Sequence, residues 1–305
     1  MGGGGAPEQY QGLPGGPLIP GGGGPVGEGD RRSKILAPLR TEGARGVAVA
    51  VVSTIVVFTV IVVVVVNSSG WPLIKDSFFD GAVFAEAFPK ILERFWRNVF
   101  IFVVAEALVL VVAMLVAVMR SLTGPVFFPF RLMAAIYTDL FRAIPTILVI
   151  ALLGFGAPAL QIKGVPDSDV FWAIVALVLV YSAYVAEVYR AGIESVHPSQ
   201  VASARALGLS RRKTLRFVVL PQAVRRVIPP LLNDFIGLQK DSALVAFLGY
   251  VEALRQATIL QFEQFDYTPF VALALVYIVI TIPQARFVDW LVARDRRRRQ
   301  VGTTL

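Results

Sequence analysis

Residues 200–226 read QVASARALGLSRRKTLRFVVLPQAVRR, a basic, alanine-rich stretch set between long apolar runs. Ala202, Ser203, Ala204, Ala206 and Gly208 are small enough to let a helix approach another surface closely. Val201, Ala204 and Gly208 share one stripe by three-then-four spacing. Pro198 suits a first helical turn and Ser199 can cap nearby amides. Gly208 is a terminator, and Ser210 is a cap for a second helix beginning at Arg211. The stretch therefore predicts helix, tight turn, helix. Its basic character alone needs nothing more than a loop held on the cytoplasmic side, so the reading depends on its surroundings.

Those surroundings are membrane. Apolar residues make up 56% of 305 and charged residues 16%, with a mean hydropathy of +0.68, which is outside the range of soluble globular chains. Upstream, Val170–Tyr189 is an apolar run ending at Arg190, and downstream Val227–Leu248 is apolar but interrupted by Pro229, Pro230, Asn233, Asp234, Gln239, Lys240 and Asp241. Lipid cannot satisfy such groups, so this run is expected to be broken and to line a cavity or pack inside protein. Further runs at Gly46–Val66, Phe95–Met119, Leu132–Leu153 and Phe270–Val292 bring the expectation to six spans, each near the roughly 20 residues a bilayer core requires. Arg31, Arg32, Lys34, Arg40 and Arg45 precede the first. Arg120 and Arg131 lie between the second and third, and Arg294 opens the run RDRRRR after the sixth. Retention of Lys and Arg inside then puts both termini and the 200–226 stretch in the cytoplasm. The fold class is all-α membrane protein.

Residues 1–45 are Gly- and Pro-rich and expected to be a disordered cytoplasmic tail, without the order of a cleaved signal peptide. Residues 67–94 lead into the second span with Phe84, Phe88, Ile91, Leu92 and Phe95 at helical spacing, an expected external amphipathic connector. Residues 294–305 form a basic tail. The net charge of +8 sits beside apolar runs, where the charge rule accounts for it without nucleic acid. No Cys and a single His, His197, leave no disulfide framework, no thiolate chemistry and no metal cluster. No GxxxxGK[ST] string occurs, so the chain has no phosphate loop for nucleotide, and no Ser/His/Asp set marks an enzyme.

QVASARALGLS, followed by TLRFVVLPQAVRRVIPPLLNDFIGLQKDSALVAFLG, resembles the signature region of permease subunits of binding-protein-dependent ABC importers, in the histidine/glutamine/glutamate permease family. YTDLFRAIPTILV (Tyr137–Val149), YSAYVAEVYRAGIESV (Tyr181–Val196) and KDSALVAFLG (Lys240–Gly249) add to the similarity, which spans roughly residues 95–293. The resemblance implies a type I core of five helices over 95–293, with the 46–66 helix as an extra N-terminal addition. It implies that Ala202, Ser203, Ala204, Arg205, Ala206, Leu207, Gly208, Leu209 and Ser210, within a coupling segment 197–216, dock on a cytosolic ATPase dimer. It also implies a second permease subunit and an external solute-binding protein, with no cofactor in this chain and ATP with magnesium held by the ATPase. Where the family loop begins with Glu and two Ala, this chain has Ala202, Ser203 and Ala204, which removes one polar contact to the ATPase or one local helix-start interaction. The extra first span and the Arg-rich character resemble glutamate-type permeases of high-GC Gram-positive bacteria, so glutamate is the expected solute and the bacterial plasma membrane the expected location.

Charged and polar groups within spans are costly and mark candidate path residues: Glu106, Asp139, Arg142, Glu187, Asn233, Asp234, Lys240 and Asp241. Asp139 with Arg142, and Glu187 with Arg190, stand three apart and are expected to pair with each other. Lys240 and Asp241 could instead offer a cation and an acceptor to a zwitterion. Two rivals stay open: a secondary transporter or channel, which predicts an internal symmetry the sequence lacks, and an ABC permease for a solute other than an amino acid.

Overall fold

The computed structural model describes residues 43–161 and 163–301. The expected tail up to residue 42, with Arg31, Arg32, Lys34 and Arg40, lies outside the described residues, as do residues 302–305. The chain divides into two compact units, 1–71 and 72–305. In the first, helix α1 (Gly43–Val66) carries the Val- and Ile-rich segment Gly46–Val66, long and apolar enough to cross a membrane.

The second unit is built on one long helix. After the short α2 (Trp71–Phe78), Asp80 caps α3 (Gly81–Ser121), accepting hydrogen bonds from the amides of Ala82 (2.7 Å) and Val83 (3.0 Å). Its 41 residues extend roughly 60 Å at 1.5 Å per residue, about twice the hydrocarbon thickness. Residues 81–94, expected as part of a separate connector, are thus the first turns of the same helix as the second span. Pro89 does not stop it.

Two expected spans are bent. The run Leu132–Leu153 divides into α4 (Phe128–Ala143) and α5 (Thr146–Ala159), turned through 104°. The cause is Pro145: the ring disfavours the α region for the residue before it, and Ile144 is extended at φ −94°, ψ 130°. After α6 (Asp169–Glu194), the hairpin of α7 (Pro198–Ala206) and α8 (Arg211–Thr214) leads through a π-helical turn, Leu215–Val219, into α9 (Leu220–Asp241). Helix α9 continues through Pro229 and Pro230, two of the residues that interrupt the apolar run in the sequence. Proline's fixed φ is already helical, and the loss is confined to the amide partners of the Arg225 and Arg226 carbonyls. The break comes later: a 3-10 turn, Ser242–Leu248, ends at Gly249 with φ +92°, and α10 (Ala253–Gln264) departs at 51°. With Arg255, Gln256, Gln261, Glu263 and Gln264, α10 is too polar to read as membrane helix, which is why the sequence closes this span at Leu248. The last helix, α11 (Thr268–Val301), carries its backbone through the arginine run expected as a tail. Among the described residues, four helices can cross a membrane singly, and six spans result if each bent pair counts as one.

Helix α3 belongs to two cores. Its second half, with Ile101, Ala105, Val109 and Ala113 buried, packs with Ile150 of α5, Ala173, Ala176, Leu177 and Ala186 of α6, and Val245 of the 3-10 turn. Its first half, with Ala87, Ile91 and Phe95, packs with Ala253, Ala257 and Leu260 of α10 and Ala272, Leu273 and Val276 of α11. The recurrence of buried alanine has a physical cause. Lipid is as apolar as Leu, so helices associate through close van der Waals contact, which small side chains permit.

Polar groups pin the break to α3. Asn98, buried, donates to Glu252 Oε2 (2.7 Å) and accepts from the Ala253 amide (3.1 Å), while Glu252 accepts the amides of Leu254 (2.9 Å) and Arg255 (2.8 Å). Arg97 donates to the Val251 carbonyl at 2.7 Å and lies 5.3 Å over the Tyr250 ring. A buried carboxylate is tolerated here because three donors surround it.

Candidate functional site

The hairpin after α6 is the first candidate. His197, rather than Ser199, is the cap of α7: its Nδ1 faces the Ser199 amide (3.2 Å) and hydroxyl (2.8 Å). The helix ends in a Schellman turn, with Gly208 N–H donating to Arg205 O (3.0 Å), Leu209 N–H to Ala204 O (3.1 Å), and Gly208 at φ +83°. Ser210 then accepts the Lys213 amide, as its spacing predicts. Ala204 is buried against the hairpin, while Ala202, Ser203, Arg205, Ala206 and Gly208 are exposed and Leu207 is 84% exposed. Leu209 is half-buried and Ser210 exposed. The result is a smooth knob of small side chains with one apolar tip.

The two long helices that flank the knob are tied to each other. The Arg226 guanidinium of α9 donates to the Ser195 carbonyl at the end of α6. One turn earlier, Gly192 lies so close to Val227 that no Cβ would fit. α7 therefore lies between two helix ends that are tied together. The π turn between them follows from Pro221, which has no N–H and whose ring crowds the Phe217 carbonyl; the Leu220 N–H reaches back five residues to Leu215 O.

An ionic network joins the helix ends beside the hairpin. Arg120 of α3 bonds Glu187 Oε2 of α6 (2.8 Å) and the Thr138 hydroxyl of α4 (3.0 Å). Glu187 also pairs with Arg190, and Arg190 with Glu194 at 2.6 Å. The Glu187–Arg190 pairing expected from spacing forms, and Arg120, which the sequence leaves unassigned, completes it. The expected Asp139–Arg142 pair does not form among the described residues: Asp139 is exposed, and the Arg142 guanidinium lies 5.8 Å over the Tyr184 ring. Three residues of separation allow contact but do not favour it over a neighbouring aromatic face.

Deeper in the bundle, Glu106 of α3 and Asp234 of α9 are half-buried and close enough to interact electrostatically. Asp234 Oδ2 is buried without a hydrogen-bond partner. Asp241 accepts the Tyr181 hydroxyl at 2.9 Å. Asn233 and Lys240 are exposed, and Asp241 is half-buried. The arrangement offers carboxylates, a phenol and an unfilled acceptor on the inner faces of α3, α6 and α9. These can receive a cationic or hydrogen-bond-donating group, and no nucleophile–base pair stands with them. The candidates legible in the sequence do not include Asn98, a polar side chain inside an apolar run, or Glu252, which lies past the end of one, and Gln239 stands there only as an interruption of its run.

Known proteins share this architecture. The family described as binding-protein-dependent transport system inner membrane component matches residues 124–297. A protein of Bacillus subtilis (strain 168) named "Probable glutamine ABC transporter permease protein GlnM" is 33% identical over 217 residues, covering 70% of this chain and 96% of that one. The arginine transport system permease protein ArtQ of the same organism is 34% identical over 196 residues, 64% and 87% of the two chains. Among solved structures, an amino acid ABC transporter crystallised with histidines matches with a TM-score of 0.64 at 28% identity, over 70% of this chain and 98% of the other. The inward-facing MetNI methionine ABC transporter, at 18% identity and a TM-score of 0.51 over 66% and 96% of the chains, shares the fold.

Proposed function

The chain belongs to the inner membrane component family of binding-protein-dependent transport systems, and from that premise we propose that it is the membrane-crossing subunit of an ATP-driven importer for a polar amino acid. The observation that carries the reading is the α7 knob: exposed at its tip, closed by the Gly208 turn, and set between two helices, α6 and α9, that are tied to each other. A knob needed only to satisfy a charge rule would need no such tie.

In this reading α7, from Ala202 to Ser210, seats in a cleft of a cytosolic ATPase dimer, and both chain ends lie on that side with Arg120, Arg131, Arg190 and Arg294. ATP with magnesium is bound and split in the ATPase, not in this chain. Closure of the ATPase dimer moves α7, and the Arg226–Ser195 and Gly192–Val227 contacts carry the motion into α6 and α9. Those helices hold Glu187 and Asp234, so the polar faces between α3, α6 and α9 are exposed to one side of the membrane or the other. ATP favours one state only through its tighter binding to the closed ATPase. A second permease subunit forms the other half of the path, and an external binding protein delivers the solute.

The resemblance to glutamate-type permeases, and the glutamine and arginine named for relatives, bring carboxylate, carboxamide and guanidinium side chains into contention. The test is affinity purification of the tagged chain from detergent-solubilised membranes, with mass spectrometry of its partners and uptake assays in the intact cells. Co-purification of a P-loop ATPase and a solute-binding protein, with uptake that stops when ATP is depleted, is the expected result. A chain that purifies alone and transports in vesicles without ATP is a secondary carrier or channel, and one whose partner binds a sugar or an ion serves another solute.

A further inference from the structure

Between Glu194 and Asp234 the chain carries six arginines and one lysine and no Asp or Glu. Arg226 is taken up by the Ser195 carbonyl. The exposed cations after the Gly208 turn, Arg211, Arg212, Lys213, Arg216 and Arg225, form no ion pair among the described residues. Retention on the cytoplasmic side accounts for such cations, but not for the apolar side chains set among them. Phe217 is 64% exposed, Leu220 49%, Val224 47% and Ile228 41%. Leu220, Val224 and Ile228 stand four apart on one stripe of α9, and Phe217 leads into it from the π turn. In water this stripe would be an uncovered apolar patch.

Three neighbours can be weighed as its cover, and the structure separates them. The bundle itself does not reach it: Ala223 and Val227, the buried face of α9 at this level, lie about 80° round the helix from the centre of the stripe, at roughly 100° per residue. The polar side of α9 is turned away as well, since exposed Asn233 and Lys240 stand about 180° from it. The knob read above as the ATPase contact precedes the Gly208 turn and carries its own apolar tip, Leu207. The stripe instead follows α9 into the apolar run that begins at Val227, where lipid is the solvent.

The cations flanking the stripe select the kind of lipid. The Arg216 guanidinium lies 5.6 Å over the Phe217 ring, and Arg225 follows Ile228 about 60° further round α9. Aromatic and aliphatic side chains beside snorkelling arginines suit the boundary between acyl chains and headgroups. A zwitterionic headgroup brings its own cation to each phosphate. Unpaired cations in a segment without a carboxylate favour a headgroup with net negative charge.

We propose that the entry into α9, with Arg212, Arg216 and Arg225 set round Phe217, Leu220 and Val224, is a docking face for anionic phospholipid of the cytoplasmic leaflet. This goes beyond the importer reading and stands on the membrane class of the chain and the side its basic hairpin faces.

The chain has no cysteine, so a bimane label on Val224→Cys reports this face alone. The labelled full-length chain is placed in nanodiscs of phosphatidylcholine containing a fixed fraction of brominated lipid, either phosphatidylglycerol or phosphatidylcholine, and quenching is compared at low salt. Val57→Cys on α1, exposed and without a cation nearby in sequence, is the reference. Brominated phosphatidylglycerol is expected to quench more strongly at Val224, and the two lipids equally at Val57. Arg216→Gln and Arg225→Gln should each lower the preference about fivefold, Arg225→Lys should retain it, and added salt should narrow it. Both arginines are exposed, so these variants leave the two cores intact. Equal quenching by the two lipids at Val224, or a preference that both glutamine variants leave unchanged, overturns the proposal. Weak quenching by either lipid, or quenching lost when a co-purifying ATPase is added back, overturns it in favour of a protein partner on the stripe. None of these readings depends on transport, so a chain that imports no amino acid removes the importer reading and leaves the lipid face to be decided by the quenching alone.

Discussion

Replacing Gly208 separates backbone geometry from bulk, because the structure makes the two predict opposite orders. Gly208 closes the α7 turn at φ +83°, and a Cβ added there would meet no atom within 4 Å. The cost of a side chain is then the left-handed conformation itself, about 1–2 kcal/mol for an ordinary residue, less for Asn and more for a β-branched one. At 1.4 kcal/mol per tenfold, Gly208→Ala should cut the population of the closed turn by roughly 5- to 30-fold relative to open alternatives. Gly208→Val should go further and abolish transport, while Gly208→Asn, larger than Ala, should retain most of it. The assay is ATP-dependent uptake of the native solute, normalised to the amount of chain in the membrane, which all three variants should leave unchanged since the turn lies outside both cores. The reasoning is refuted if Ala outperforms Asn, which would mean that space against a partner governs the site, or if Val supports wild-type uptake.

Further outcomes follow from other contacts. Gly192→Ala drives a methyl into Val227 and should cost about 1–3 kcal/mol of stability. Adding Val227→Ala should recover part of it, and strict additivity in a thermal-denaturation double-mutant cycle would show that the two do not touch. Ala202 is exposed, so Ala202→Glu should restore the family's carboxylate without disturbing the fold and preserve or raise uptake; loss of ATPase co-purification would mark this position as remodelled for a different partner. The natural chain has no cysteine, so single substitutions carry no labelling background. Ser203→Cys should react with a membrane-impermeant maleimide only from the cytoplasmic side and Asp167→Cys only from outside, and the reverse pattern would invert the topology.

The membrane class, the six apolar runs and the α7 turn were legible in the chain because each depends on local chemistry. Apolar runs of about 20 residues cross lipid as helices, which satisfy every backbone group within the segment, Gly208 admits a left-handed turn, and Ser210 is placed to cap the amide of Lys213. The amphipathic stretch before the second span was legible as helix, but its continuity with α3 was not: Pro89 and the change from mixed to fully apolar composition look like a boundary until packing on α10 and α11 holds the helix together. The bends were harder still. Pro145 breaks its run because Ile144 can be extended there, whereas Pro229 and Pro230 leave α9 intact, and the dipeptides themselves do not say which outcome follows.

Site residues divide in the same way. Glu187 and Arg190 pair because both lie on one helix at fixed spacing, whereas Asp139 and Arg142 have that spacing and do not, since Tyr184 of another helix gives Arg142 an alternative. Arg120 enters the network from 67 residues away. Gln239 reads in the sequence as one polar interruption among several, and Gln284 as a polar residue within the sixth apolar run, until the fold brings them to one cleft. Sequence alone determined what each segment can tolerate, through span length, charge side, turn dihedrals and caps, because those energies are set within a few neighbouring residues. Which buried polar groups meet, and which are left without a partner, was decided only by tertiary structure, because hydrogen bonds and charge pairs act over a few ångströms between helices far apart in the chain.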